Sequence, residues 1–211
     1  MRVPFLFAVV LLTPGLATPV APGGVTINVR GADGKPVRDA VVTVHLAGRA
    51  TPPPQAPGVD YVVSQKDIQF HPFVLVVPTG SQVAFPNLDP VRHQVYSFSA
   101  AKRFELKLYA KEQNRSVQFD KPGVVALGCN IHDQMTAFID VVDTPWAAKT
   151  DAQGNVVLNG VPAGTVTVAI WHPYLRAPGN SLSKTVALGA GGVRDSFTVA
   201  LRSPPRMGGD Y

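Results

Sequence analysis

The sequence predicts an all-β protein. Glycine (19) and proline (20) are frequent among its 211 residues, and charged residues make up only 16%. That composition suits short strands and many turns better than helices. Short apolar runs alternate with polar residues along most of the chain, and turn residues bound them.

Residues 1–17 read as a secretory signal peptide. Arg2 supplies one positive charge, and Val3 to Leu12 is apolar apart from Pro4. Gly15 and Ala17 stand where a signal peptidase accepts small residues. The run is too short to span a bilayer, and no later stretch reaches the roughly 18 apolar residues of a membrane helix. The expected product is soluble, periplasmic or secreted, without a membrane span. About 190 residues then remain, enough for one or two domains.

Residues 24–48 come next. Val25, Ile27 and Val29 alternate with Thr26, Asn28 and Arg30, Asp33-Gly34 is a turn, and Val42, Val44 and Leu46 resume the alternation. This predicts a hairpin over 25–46. Residues 49–58 hold Pro52-Pro53-Pro54 and Pro57, a stiff linker that a sheet interior excludes.

Residues 59–143 start a second strand series near Tyr61. Val74-Leu75-Val76-Val77 is a buried-strand run closed by Pro78-Thr79-Gly80, and Val83 to Phe85 follows. After the turn-rich Asn87-Leu88-Asp89-Pro90, a strand is expected around Val95 and Ser97. Ser99 to Gln113 contains helix-favouring Ala, Lys, Glu and Leu. Within it, however, Phe104, Leu106 and Leu108 alternate with Glu105, Lys107 and Tyr109, which predicts a strand. Val117 and Phe119 mark another. Gly123 to Leu127 leads into Gly128-Cys129, and Ala137 to Val142 leads away, so the intervening loop joins two adjacent strands. Thr144-Pro145 is a boundary. Residues 148–201 carry turns at 150–155 and 161–164 and strands at 156–158, 166–170 and 196–201. Residues 202–211 are expected to form a flexible tail.

The chemistry concentrates in Cys129-Asn130-Ile131-His132-Asp133-Gln134-Met135. Cys129 is the only cysteine, so it has no internal disulfide partner, and a free thiol in an oxidising compartment is a liability unless occupied. A metal would occupy it as thiolate; the bland alternative is a buried inert cysteine. His132 and Met135 follow at three-residue intervals, and His93 lies 36 residues upstream. Two His, one Cys and a weak Met form the ligand set of a blue-copper electron-transfer site. A structural zinc site fits poorly, because methionine is a poor zinc ligand. A Cys-His nucleophile would want a helix-borne cysteine and a supporting Asn or Asp, which the pattern does not suggest. His45, His71 and His172 are solitary and read as surface or structural residues. No H-x-H pair occurs, which argues against further copper centres of the oxidase type.

Net charge is +5. Residues 56–143 carry 8 Lys/Arg against 9 Asp/Glu, and residues 144–211 carry 6 against 3. No basic run or aromatic-basic motif points to nucleic acid.

Residues 59–143 resemble cupredoxins. The resemblance is carried by Gly80-Ser81-Gln82-Val83-Ala84-Phe85, by Asn87-Leu88-Asp89-Pro90-Val91-Arg92-His93 and by the Cys129–Met135 loop, whose C-x2-H-x2-M spacing is similar to amicyanin's. The whole is similar to secreted cupredoxin-like proteins labelled methylamine utilization proteins. The resemblance implies a Greek-key β-sandwich with one type 1 copper site cycling between Cu+ and Cu2+. His93, Cys129 and His132 would be in-plane ligands, Met135 the axial one, and His132 the exposed edge. Gln94 stands where the family commonly has Asn, and Asp133-Gln134 where amicyanin is apolar. The flanks resemble a carboxypeptidase-regulatory-like (transthyretin-like) β-sandwich through Gly34-Lys35-Pro36-Val37-Arg38-Asp39-Ala40-Val41-Val42-Thr43-Val44, residues 150–154 and residues 161–165. The cupredoxin segment would then be inserted in, or flanked by, this second sandwich.

The expected function is one-electron transfer between periplasmic redox proteins, as a carrier and not an enzyme. Copper sequestration or delivery is the alternative, although Met1, Met135 and Met207 are the only methionines and no Met-rich or His-rich loading tract exists. An adhesion or carbohydrate-binding module is a third reading, with Trp146, Trp171 and Tyr174 as its only aromatic candidates.

Overall fold

The computed structural model describes residues 23–54 and 60–204. The signal peptide expected at 1–17 lies outside the described residues, as do parts of the linker and of the tail. β1 (Gly23–Gly31) and β2 (Val41–Leu46) come first. The middle of the chain forms β3 (Tyr61–Val62), β4 (Ser64–Lys66), β5 (Gln69–His71), β6 (Val74–Pro78), β7 (Ser81–Ala84), β8 (His93–Phe98), β9 (Arg103–Tyr109), β10 (Ser116–Phe119), β11 (Gly123–Gly128) and β12 (Thr136–Val142). Then follow β13 (Ala147–Lys149), β14 (Asn155–Val161), β15 (Gly164–Trp171), β16 (Ser181–Leu188) and β17 (Val193–Val199). A short 3-10 turn, Pro178–Asn180, precedes β16. The protein is all-β, as its composition predicts.

The middle strands make one sheet in the order β6-β12-β11-β8-β9 and another in the order β10-β7-β3, with β4 and β5 paired as a separate hairpin. Inward side chains such as Val77, Phe85, Val95, Phe119, Val125 and Ile139 are essentially fully buried between them. Removing apolar surface from water drives this packing. The ambiguous stretch 99–113 does form a strand. Phe104 and Leu106 pack toward the core, while Leu108 is exposed.

The flanking strands make two further sheets, β14-β1-β17 and β13-β2-β15-β16. Their shared core includes Val25, Ile27, Val29, Val42, Val44, Val168, Ile170 and Phe197. Here the hairpin expected at 25–46 is corrected. β1 pairs with β14 and β17, β2 pairs with β13 and β15, and the two strands belong to different sheets. The expected turn at Asp33-Gly34 is present, with Gly34 at φ 79°. After it, residues 36 and 37 run back beside β1 only briefly, and Asp39 at φ 60° redirects the chain to the opposite sheet. Alternation reports which side chains face a core, not which strand lies alongside. Gly154 explains why the turn at 150–155 needs its glycine: φ is 77°, and a Cβ there would collide with the carbonyl of Val29.

The chain crosses between the two cores twice, and the crossings run side by side. Pro52, Pro53, Pro54 and Tyr61 from the first line the same cleft as Val142, Thr144 and Pro145 from the second. Thr144 Oγ1–H donates to Val44 O at 2.6 Å, and Lys149 Nζ reaches Val74 O at 2.9 Å and Asp39 Oδ1 at 2.8 Å. Aromatic rings close the seam: Phe73 lies 6.0 Å from Tyr174, and Phe138 lies 5.6 Å from Trp171.

A cavity of about 230 Å³ remains at this seam, lined by residues that include His45, Asp140, Asp143 and Trp171. Burial, with the charge of Asp143 beside it, pushes the Asp140 carboxyl up from 3.8 to about 6. The folded value exceeds the unfolded one. Any stability this group contributes is therefore present below pH 3.8 and lost as pH rises through about 6. Asp140→Asn should be more stable than wild type at pH 7, by at most about 3 kcal/mol, and nearly equal to it near pH 4. Urea unfolding at the two pH values checks this, and equal curves at both would refute it.

Candidate metal centre

β11 and β12 are antiparallel, with Gly128 opposite Thr136, so residues 129–135 form the loop that connects them. Inside the loop, Met135 N–H donates to His132 O at 2.9 Å. Gly128 also lies opposite Tyr96 of β8, and a Cβ at Gly128 would meet the Tyr96 ring at 2.7 Å. Glycine thus lets the aromatic ring cover the strand immediately before Cys129. His93 opens β8, where the ladder to β9 shifts register between His93 and Val95. This irregularity accompanies burial of three successive residues, His93, Gln94 and Val95, where a regular strand would turn every second one outward.

Three donor atoms converge. Cys129 Sγ lies 4.0 Å from His93 Nδ1 and 3.9 Å from His132 Nδ1. All donor atoms of the trio fall within 4.8 Å of one another, and this is the one such group among the described residues. The spacing suits a common metal ion. Bonds of about 2.3 Å to sulfur and 2.1 Å to nitrogen, set trigonally, separate the two donors by about 3.8 Å. His93 is 0% exposed, Cys129 3% and Met135 1%, while His132 is half-buried. Met135 belongs to the same apolar core as Cys129 and shares with it the wall of a surface groove. Burial, then the neighbouring His93, lowers the pKa of His132 and favours the neutral imidazole a metal requires.

The second layer is polar and specific. His93 Nε2 lies 2.7 Å from Asp89 Oδ2, on the side of the ring away from the Nδ1 that faces Cys129. Asp89 also accepts from the N–H groups of Asp67 at 2.6 Å and Ile68 at 3.0 Å. Burial alone would raise the Asp89 carboxyl, but the bonds from Ile68, His93 and Asp67 hold it below its ordinary value. Gln94 donates to Glu105 Oε1 at 2.5 Å.

The structure therefore brings together His93, Cys129 and His132, with Met135 buried at the end of the same loop. His45, His71 and His172 stay apart from them. His45 pairs with Asp143 at 2.8 Å, His71 is exposed, and His172 Nδ1 accepts from the Tyr174 N–H at 3.3 Å. Sequence reading missed Asp89, which it treated as part of a turn. The available signal was weak: an acidic residue four positions before a histidine.

No family model and no curated protein matches the chain. Similar folds are found among solved structures, over part of the chain. A copper-containing nitrite reductase from Thermus scotoductus SA-01 is 25% identical with a TM-score of 0.39, covering 43% of this chain and 25% of that one. The chain thus matches about a quarter of that protein's length. A purple cupredoxin from Nitrosopumilus maritimus is 20% identical with a TM-score of 0.36, covering 39% of this chain and 100% of that one. Amicyanin from Paracoccus versutus is 18% identical with a TM-score of 0.37, covering 48% and 97%.

Proposed function

We propose that this protein is a type 1 copper protein that carries single electrons between redox proteins in an exported compartment. The observation that carries the reading is the convergence of His93 Nδ1, His132 Nδ1 and Cys129 Sγ beside a core that also holds Met135. Copper bound there would supply one-electron chemistry.

The protein's own groups divide the work. The Cys129 thiolate contributes charge and a soft donor, Met135 a weak thioether, and the imidazoles serve both oxidation states. Strands β8, β11 and β12 hold the donors in place before metal arrives, so little has to move when the charge changes. The half-buried His132 is the contact edge. Exposed Leu88, Val91 and Ile131 on the two ligand-bearing loops offer an apolar surface to a partner protein. The apolar run expected as a leader at 1–17, with small residues at Gly15 and Ala17, is the feature that supports an exported location. Among the described residues no helix is long and apolar enough to cross a membrane. We read residues 59–143 as the copper domain and residues 24–48 with 148–201 as the sandwich into which it is inserted, supported by the two separate cores.

Titrating the metal-free protein with Cu(II) should develop an intense visible sulfur-to-copper band that saturates at one equivalent. Voltammetry should then be reversible. A copper complex without that band would overturn the reading.

A further inference from the structure

We propose that Asp89 is the positioning residue of this centre: it fixes the tautomer of His93 and biases bound copper toward Cu(II), and the β4–β5 hairpin holds it there. The copper half of this inference rests on the reading above; the tautomer half does not.

The carboxylate is not a surface charge that happens to touch a histidine. The side chains of Asp89 and His93 are 6% and 0% exposed. Each Asp89 oxygen is engaged, Oδ1 by the Asp67 N–H and Oδ2 by the Ile68 N–H and His93. Its own N–H donates to Asn87 Oδ1 at 2.9 Å. Asn87, also 0% exposed, donates in turn to Val91 O at 2.9 Å and Tyr109 O at 3.0 Å. The loop before His93 is therefore tied to β9, and the carboxylate has a fixed direction.

The source of the two backbone donors is the second observation. Asp67 and Ile68 form the two-residue turn between β4 and β5, and both have φ of 54°. A turn with two positive-φ residues normally takes Asn-Gly. An isoleucine there is an outlier, costing about 1–2 kcal/mol. Such an outlier persists only when its surroundings over-determine it. What the strained turn achieves here is geometric: two successive N–H groups point at Asp89.

The electrostatic consequence follows from charge counting. Among the described residues, Asp89 has no ion-pair partner other than His93. With the Cys129 thiolate and the Asp89 carboxylate, the centre is neutral around Cu(II) and carries a net negative charge around Cu(I). Net charge in a buried site is unfavourable, so the oxidised state gains. Asparagine at position 89 can still accept from His93 but removes the negative charge. Outer-layer partners of this kind commonly change metal affinity 10–100-fold.

Asp89→Asn tests both halves. In metal-free wild type, nitrogen-15 NMR of the imidazoles should show His93 protonated on Nε2. In the variant that tautomer should lose its exclusivity. With copper, the variant should bind Cu(II) about tenfold more weakly while Cu(I) affinity barely moves. A tenfold change is a rise in potential of about 59 mV for one electron. A folded variant whose potential equals that of wild type would overturn the bias, as would a His93 proton on Nδ1 for the tautomer. If Asp89→Asn does not fold, the comparison is made in an Asp67→Asn/Ile68→Gly background. That pair accepts the turn without strain and keeps both N–H donors. Wild type that binds copper without the visible band would defeat the copper reading instead, while Nε2 protonation in the metal-free protein would still uphold the positioning role.

Discussion

Cys129→Ala is expected to fold, to bind copper weakly and to be colourless. The residue is 3% exposed and packed in the middle core, so truncation leaves a void of roughly one sulfur atom, a cost of about 1 kcal/mol. The effect on the metal is far larger. Cys129 Sγ is the donor common to both short distances in the trio, and its loss leaves two imidazoles and a thioether without a compensating negative charge. Loss of copper affinity should exceed the 10–100-fold typical of outer-layer changes. The visible band should vanish completely, since it originates on the thiolate. Circular dichroism establishes the fold, and copper titration followed by absorbance measures the rest. A retained band in this variant removes Cys129 from the site.

The second large effect concerns chain organisation. A fragment of residues 148–211 should not fold alone, whereas residues 58–143 should fold and bind copper. β1 lies between β14 and β17, and β2 lies between β13 and β15, so each is an interior strand of its sheet. Without them the flanking core loses Val25, Ile27, Val29, Val42 and Val44, all 0% exposed. At about 1.5–3 kcal/mol per buried side chain, the loss matches the whole stability of a typical domain, about 5–15 kcal/mol. The middle fragment keeps both of its sheets. Proton–nitrogen NMR spectra decide the matter: well-dispersed peaks from 148–211 would contradict the insertion, and collapsed peaks from 58–143 would contradict the independence of the copper domain.

How much of this was legible in the sequence depended on range. The donors of the centre could be read because Cys129, His132 and Met135 share one loop, and because their chemistry is rare. β9 was legible because alternation outweighs the helix propensity of Ala, Lys and Glu once one face is buried. The partner of β1 was not legible, since Val25 pairs with Val193 and Leu158, far along the chain. β16 escaped notice because it is an edge strand, bonded on one side to β15, and polar Ser183 and Thr185 face water while a lysine, Lys184, takes one of the half-buried places between them. The β4–β5 hairpin escaped because its Asp67-Ile68 turn carries no glycine or asparagine. Asp89 was hidden by the same fact: its role exists only once that turn folds over it.

The side-by-side crossings at Pro52–Pro54 and Thr144–Pro145 bear on the order of assembly. β2 ends at Leu46 and β13 begins at Ala147, so an unstructured chain must close a loop of 100 residues to pair them. Once the middle strands have folded, their ends sit together, and only residues 47–60 and 143–146 still need to close. The entropic cost of closure then falls by about 1.5 kcal/mol. On the copper reading proposed above, metal held in the Cys129–Met135 loop would keep the middle strands folded and so act as a chaperone in cis for the flanking strands.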